Sequence, residues 1–387
     1  MFADADPARR RALFPILAEH IHLAHCAVAP LCGPAAEALH EYASACSAGD
    51  QGDAERYRQA MATRGVAARL LAVEAQGIAL LGPTTYGLGL IANGLDWHPG
   101  DEVVCCGDDY PANVYPWLML AQRGVVVRRI RPRPLGCITW ESVAAVLGPC
   151  TRLVALPSCH YLSGYRPDIA GIGERLRAAG ILFCVDAIQT LGAFPFPGAA
   201  VDCAAADAHK WLLGPSGAGI TFVRPELCER IRPVAVGVGS AVAPELRACD
   251  QVALLPGARR FEGGTPNVPG ILAMRAAIEL LLDAGIDRIA ERILQLRARL
   301  ERGLREAGWQ PMLADPPTDG PEHEWRSGIL TCRHPVHDPQ TVVTRLRAHG
   351  IIASARNDHT DTAWLRLAPH AYNSEAEIDR VLAVVAH

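Results

Sequence analysis

The chain has 387 residues, half of them hydrophobic and a fifth charged, with a formal net charge of −4 at pH 7. That length suits one large α/β domain plus a smaller one, and the slight acidity excludes a general attraction to nucleic acid or anionic membrane. The arginines at 9–11 precede no long apolar stretch, and no window approaches the ~20 apolar residues of a membrane span, so a cytoplasmic protein is expected.

In chain order, residues 1–20 read as an N-terminal segment that packs with the small domain, 21–284 as the large domain, and 285–387 as the small C-terminal α+β domain. From about residue 80 to 225, short β-branched runs alternate with helical stretches, the pattern of a mostly parallel sheet covered by helices. Strands are predicted at 102–106, 125–130, 153–156, 182–186, 202–206 and 220–223, and helices at 117–122, 140–147 and 173–179. In such sheets functional groups collect beyond the carboxyl ends of the strands, where Tyr110, His160, Asp186 and Lys210 all fall. Residues 244–257 read as a loop near the active-site entrance. A helix follows at 270–282, then a second with Ile289, Ile293, Leu296, Leu300 and Leu304 on one face. Pro316, Pro317 and Gly320 mark a loop, before strands at 328–332 and 363–367 and a final helix at 375–385. The thirteen cysteines include no CxxC pair and no metal-ligand spacing to histidine, so they read as reduced core residues rather than a metal centre. Cys105 and Cys106 lie in a predicted strand.

Of the 37 basic residues, 36 are arginine and one is lysine, Lys210. Arginine stays protonated and cannot offer a free amine to an aldehyde, whereas a lysine can lower its pKa and form an imine. Lys210 stands in the run Asp207-Ala208-His209-Lys210-Trp211-Leu212-Leu213-Gly214-Pro215, at the exit of an apolar strand, which distinguishes it from an ordinary surface charge. Twenty-four residues upstream, Asp186 ends another strand. There a carboxylate can pair with the pyridine nitrogen of pyridoxal 5′-phosphate (PLP) and make its ring an electron sink for a carbanion, while Gln189 hydrogen-bonds the phenolic oxygen. The run Gly82-Pro83-Thr84-Thr85-Tyr86-Gly87 ahead of an apolar helix offers backbone amides and the Thr84 and Thr85 hydroxyls to a phosphate, although plain N-capping by threonine looks the same.

These segments resemble the class V aminotransferase family, the fold-type I PLP group that includes cysteine desulfurases, selenocysteine lyase and isopenicillin N epimerase. The resemblance runs over nearly the whole chain and rests most on the Asp186-to-Lys210 pair with its HKWLLGP run, supported by Asp109-Tyr110-Pro111-Ala112-Asn113. It implies that Tyr110 covers the cofactor ring and that His209 and Asp207 belong to the cofactor site, with Asp207 standing where many desulfurases place a phosphate-binding serine. The segment Arg260 to Asn267 implies that Thr265 reaches the cofactor phosphate of a partner subunit, hence a homodimer with shared active sites. The segment Trp364 to Asn373 implies that Arg366 grips the α-carboxylate of an amino acid substrate in its planar fork. Arg356, His160 and His25 are further substrate-side candidates. One departure matters: desulfurases carry a nucleophilic cysteine in a loop shortly before that arginine, whereas residues 354–363 read SARNDHTDTA. Cys332 lies earlier, in a predicted strand.

The expected mechanism has an amino acid displace Lys210 from its imine and Lys210 then remove the α-proton. Transamination is the leading expectation, with C–S lysis of a cysteine derivative next and epimerisation as a further route. A nicotinamide dehydrogenase would need a Gly-x-Gly-x-x-Gly turn after an early strand, and none is so placed. A PLP-binding regulator without turnover would need a DNA-binding module, for which the chain has no spare length.

Overall fold

A computed structural model describes residues 2, 6–242, 251–320 and 323–386. Its centre is a seven-stranded sheet formed by β1 (Ile78–Leu81), β2 (Glu102–Cys106), β3 (Val126–Ile130), β4 (Thr151–Pro157), β5 (Leu182–Asp186), β6 (Cys203–Asp207) and β7 (Gly219–Val223), in the spatial order β1-β7-β6-β5-β4-β2-β3. Strand β7 runs antiparallel to both its neighbours, and the remaining pairs are parallel. Both faces of the sheet are covered, as a largely parallel sheet requires. Successive side chains alternate between two cores: Val104, Val154, Phe183, Val185 and Ala204 join the layer under helices Gly33–Ala48, Ala54–Leu71 and Val268–Ala284, while Val103, Leu153, Ala155, Cys184 and Ala205 join the layer that holds helix Thr84–Gly94 and Trp117. This alternation explains why both Cys105 and Cys106 are buried.

The C-terminal part carries a four-stranded antiparallel sheet in the order Ser354–Asn357, Ala363–Leu367, Leu330–Arg333, Gln310–Pro311. Helix Ile286–Glu306 serves two cores with one apolar stripe. Ile289 and Ile293 pack with the large-sheet core, whereas Leu296, Leu300 and Leu304 pack with Leu365, Leu367, Ile378 and Val381. At the other terminus, helix Pro7–Leu13 places Arg10 against the Tyr372 carbonyl at 3.0 Å and in an ion pair with Glu377, and Phe14 stacks on Tyr372 at 4.2 Å between ring centroids. Ile21–His22 then pairs with Ile351–Ile352 in a short parallel ladder.

The six predicted strands of the large sheet all form, with ends shifted by at most two residues. The predicted helix at 117–122 is instead an α-turn at Tyr115–Met119 followed by a 3-10 turn, Leu120–Arg123, closed by Gly124 at φ +78°. The predicted helix at 173–179 begins earlier, at Ile169, because the Asp168 carboxylate caps the amide of Gly171. Strand β1 and helices Gly33–Ala48 and Ala54–Leu71 escaped sequence reading, the first helix because Ala35 alone among its residues is buried and no apolar stripe marks it. The 354–363 stretch, which stands where desulfurases carry their cysteine loop, is a strand, a tight turn and the start of the next strand. Of the 244–257 loop, residues 244–250 lie outside the described residues; 251–256 carry no helix, and Leu254 bridges Ala241.

A buried ion pair ties the large domain together. Glu262 accepts the Leu80 amide at 2.8 Å and pairs with Arg64. Glu262→Ala leaves a guanidinium buried without its partner and is expected to cost about 3 kcal/mol, read as a lower urea midpoint. An unchanged midpoint would refute the assignment.

Candidate active site

Five strand ends converge on one cavity of about 310 Å³. Cys26, Ala27 and Val28 line it from the N-terminal segment, Pro83, Thr84 and Thr85 from the loop after β1, Tyr110 and Ala112 from the loop after β2, and Tyr161 from beyond β4. Asp186, Ile188 and Gln189 come from the turn after β5, His209 and Lys210 from the turn after β6, and Arg356 and Arg366 from the C-terminal sheet. Of the residues expected to form the site, Lys210, Asp186, Thr84, Thr85, Tyr110, Gln189, His209, Arg366 and Arg356 are thus brought together.

The turn carrying Lys210 is shaped by Asp207. Its carboxylate accepts the amides of Gly217 at 3.1 Å and His209 at 3.3 Å and lies 2.9 Å from the His209 ring. These contacts occupy both oxygens, and Asp207 does not line the cavity, so it shapes the turn rather than facing the space where the cofactor was expected. Its own amide donates to the Thr84 hydroxyl at 3.0 Å, which locks the Lys210 turn to the start of helix Thr84–Gly94. That helix lies close on the sheet because position 87 is glycine. A Cβ there would collide with the Thr221 hydroxyl and Ala205.

Lys210 is buried, with Nζ 5.4 Å from the centroid of the Tyr110 ring. Burial lowers its ammonium pKa and the negative charge of Asp186 resists that fall, which brings an amine closer to the free form that attacks a carbonyl. Asp186 is buried too. Desolvation raises its carboxyl to about 6, against a 3.0 Å hydrogen bond from the Ile188 amide and the pull of Lys210. Arg366, also buried, donates through Nη1 to the Tyr161 carbonyl at 2.6 Å and through Nε to the Ser354 hydroxyl at 3.3 Å. Two contacts hold the guanidinium and leave Nη2 directed elsewhere. Arg356 is more exposed and donates to the carbonyl of Ala355.

Two expected substrate contacts sit behind the wall instead. His160 donates from Nε2 to the Asp108 carbonyl at 3.0 Å and accepts the Ser163 amide on Nδ1 at 3.1 Å, and burial lowers its pKa to about 4. His25 donates from Nδ1 to the Ala368 carbonyl at 2.7 Å and accepts the Tyr372 hydroxyl on Nε2 at 2.8 Å, with burial again holding it neutral. Both rings have each nitrogen engaged, so they tie segments together and present nothing to a ligand. Thr265 is outside the cavity as well, beside a separate 200 Å³ pocket with Gly82, Gly217 and Asn267. Cys332 lies fully buried in its strand, and burial pushes its thiol far up, which removes it as a nucleophile.

Sequence reading missed Cys26, Tyr161 and Asp109. Tyr161 lay in a segment already singled out for His160, so its neighbour was within reach of the same argument. Cys26 had no local signal, because its place depends on long-range contacts: Ala368 donating to the Leu23 carbonyl at 2.7 Å and Ala29 donating to the His209 carbonyl at 2.8 Å. Asp109 is raised to about 7 by burial and by the charge of Asp186, while its carboxylate accepts the Asn113 amide at 3.0 Å. Among the described residues no cluster of His, Cys, Asp and Glu is arranged to hold a metal ion, and no helix is long and apolar enough to cross a membrane.

Comparison with known proteins follows the same lines. A cysteine desulfurase of Dickeya dadantii is 30% identical over 82% of this chain and 78% of its own length, and an uncharacterized aminotransferase of Bacillus subtilis is 28% identical over 98% of this chain and 99% of its own. Among solved structures, the apo cysteine desulfurase of Thermococcus onnurineus NA1 has a TM-score of 0.87 at 23% identity, covering 100% of this chain and 98% of that one. The C–S lyase C-DES, in a mutant with glycine covalently linked to its PLP cofactor, also has a TM-score of 0.87 at 23% identity, covering 97% and 98%. At that identity the structures establish the fold. The model of the family Aminotransferase class-V matches residues 30–381, and with it spanning nearly the whole length, the chain belongs to the class V aminotransferase family of fold-type I pyridoxal 5′-phosphate enzymes.

Proposed function

We propose that this enzyme cleaves the C–S bond of a cysteine-type amino acid by elimination, using PLP held at Lys210. The observation that carries the cofactor assignment is a buried lysine, alone of its kind in the chain, that shares one cavity with a buried strand-end acid and a buried arginine. The residues fit the group. A volume of about 310 Å³ suits a ligand of this size, and Tyr110 offers a ring face near Lys210 Nζ. Thr85 and the amides opening helix Thr84–Gly94 suit the phosphate, Asp186 suits the pyridine nitrogen, and Gln189 and His209 line the remaining edge. Bound PLP supplies an electron sink for the pair left at the α-carbon.

The protein's own groups then divide the work. Arg366, fixed by Tyr161 and Ser354, receives the substrate carboxylate and so orients the α-C–H bond. Lys210 takes the α-proton on Nζ, helped by burial that favours its neutral amine. The same Nζ can return that proton to the departing sulfur, so the net change is loss of a thiol across the Cα–Cβ bond, followed by hydrolysis to pyruvate and ammonia. Asp186 would supply a negative charge to the ring nitrogen when PLP is bound.

Transamination was the leading expectation from the sequence, and the comparisons favour C–S lysis, since curated relatives are named cysteine desulfurases and a structural neighbour is a cystine C–S lyase. Transfer of sulfur to the enzyme itself is disfavoured by the 354–363 stretch. Asp358 accepts the Thr360 and Thr362 amides and the Trp364 indole N–H within 3.1 Å, and this pins a short hairpin turn that contains no cysteine. A homodimer is proposed as well. Thr265 stands outside its own chain's cavity, and Tyr86, Tyr115 and Met119 expose large side chains on helices at and after the cavity-lining loops.

Three outcomes are expected. Reconstituted enzyme without a keto acid should release pyruvate continuously, with sulfide from L-cysteine or cysteine persulfide from L-cystine, and Lys210→Arg should abolish this. Stoichiometric conversion of the cofactor to its pyridoxamine form would mean an aminotransferase instead. Arg366→Lys keeps the charge but loses the planar fork, so KM should rise by about tenfold or more, and an unchanged KM would remove Arg366 from the substrate site. Sedimentation should give a dimer, with Thr265→Ala binding PLP about tenfold more weakly; a monomer with full cofactor affinity would contradict the shared site.

A further inference from the structure

Gln189 is held from two sides. Its Nε2 donates to the Cys26 carbonyl at 3.0 Å, and its Oε1 accepts the Trp211 indole N–H at 3.0 Å. An indole N–H can only donate and a carbonyl can only accept, so one amide orientation satisfies both contacts. Reversal would set N–H against N–H and oxygen against oxygen, with all four groups buried. In the orientation that remains, Nε2 keeps a second hydrogen with no partner among the described residues, and Gln189 lines the Lys210 cavity.

Trp211 is in turn tightly fixed. It is fully buried, its carbonyl faces His370 Nε2 at 3.3 Å, and its ring lies at 5.8 Å from the His370 ring and 6.0 Å from the His25 ring, centroid to centroid. Position 328 is glycine where a Cβ would collide with the Trp211 ring. An aliphatic or phenylalanine side chain could fill this core without the indole, but it would bring no donor to Gln189.

Building on the cofactor reading above, we propose that Trp211 is a positioning residue: its indole N–H sets the Gln189 amide so that the free Nε2 hydrogen points to the phenolic oxygen of PLP. A donor to that oxygen competes with the proton held between it and the Lys210 nitrogen. Weakening the donor therefore raises the pH at which that proton leaves.

The test is a pH titration of the visible absorption band of the reconstituted enzyme, together with PLP affinity, in a double-mutant cycle of Trp211→Phe and Gln189→Leu. Trp211→Phe should move the titration midpoint upward by about half a pH unit or more and weaken PLP binding by about five- to tenfold. In the Gln189→Leu background the same change should move the midpoint no further, because Trp211 then has nothing to orient. An unshifted midpoint in Trp211→Phe, or an equal shift in both backgrounds, overturns the proposal. Should Trp211→Phe fail to fold, benzothienylalanine at position 211 keeps the shape and removes only the N–H, and the same two outcomes apply. A wild-type protein that gives no visible band on reconstitution removes the cofactor reading and this inference with it, whereas a normal band with equal shifts overturns the inference alone.

Discussion

Everything at this site depends on holding one lysine away from water. Taking an ammonium out of water costs on the order of several kcal/mol, and here burial lowers the pKa of Lys210 while the carboxylate of Asp186 limits the fall. Asp186 is braced by the Ile188 amide at 3.0 Å, whereas the turn around Lys210 is built from other atoms. Asp207 takes the amides of His209 and Gly217, Ala208 donates to the Ala218 carbonyl at 2.9 Å, and Leu213 donates to the Lys210 carbonyl at 3.1 Å. The lysine side chain is left without a structural duty and is free to react.

The same logic runs outward. Behind the cavity wall the chain places neutral imidazoles rather than further cations. His25, His160 and His370 all have pKa values lowered by burial, and each uses one ring nitrogen to bond a backbone carbonyl from a distant part of the chain. A charged ring in any of these places would add another cation to an interior that already holds Lys210 and Arg366. Keeping them neutral allows the N-terminal segment, the Lys210 turn and the strand bearing Arg366 to meet in one wall. That wall brings the Lys210 amine and the Arg366 guanidinium to one cavity.

The hairpin before Arg366 carries Arg356 and Arg366 to the cavity. In this chain Asp358 collects donors from Thr360, Thr362 and Trp364, and the two strands beside it are in register from Ser354 opposite Arg366 to Asn357 opposite Ala363. A turn held in this way presents a fixed surface and no thiol. The cysteine that does line the cavity, Cys26, comes from the N-terminal segment instead.

Much of this could be read from the residues alone. A lysine that stands alone among 37 basic residues, an acid at the end of one strand and an arginine near the end of the chain are local facts, and alternating apolar runs determine a covered parallel sheet because strand side chains have a period of two. The sequence therefore determined the sheet, the reactive amine and most of the cavity wall. It could not separate residues that face a cavity from those that stand one layer behind it. His160 and Tyr161 are adjacent in sequence, yet one is engaged on both nitrogens and the other lines the cavity. Cys26 reaches the site through contacts between segments more than a hundred residues apart, and Gln189 keeps its orientation through one such contact, to the Cys26 carbonyl, and a nearer one, from Trp211. Only the tertiary structure decided these, because which partner completes a buried hydrogen bond depends on packing between distant segments, and no local pattern encodes it.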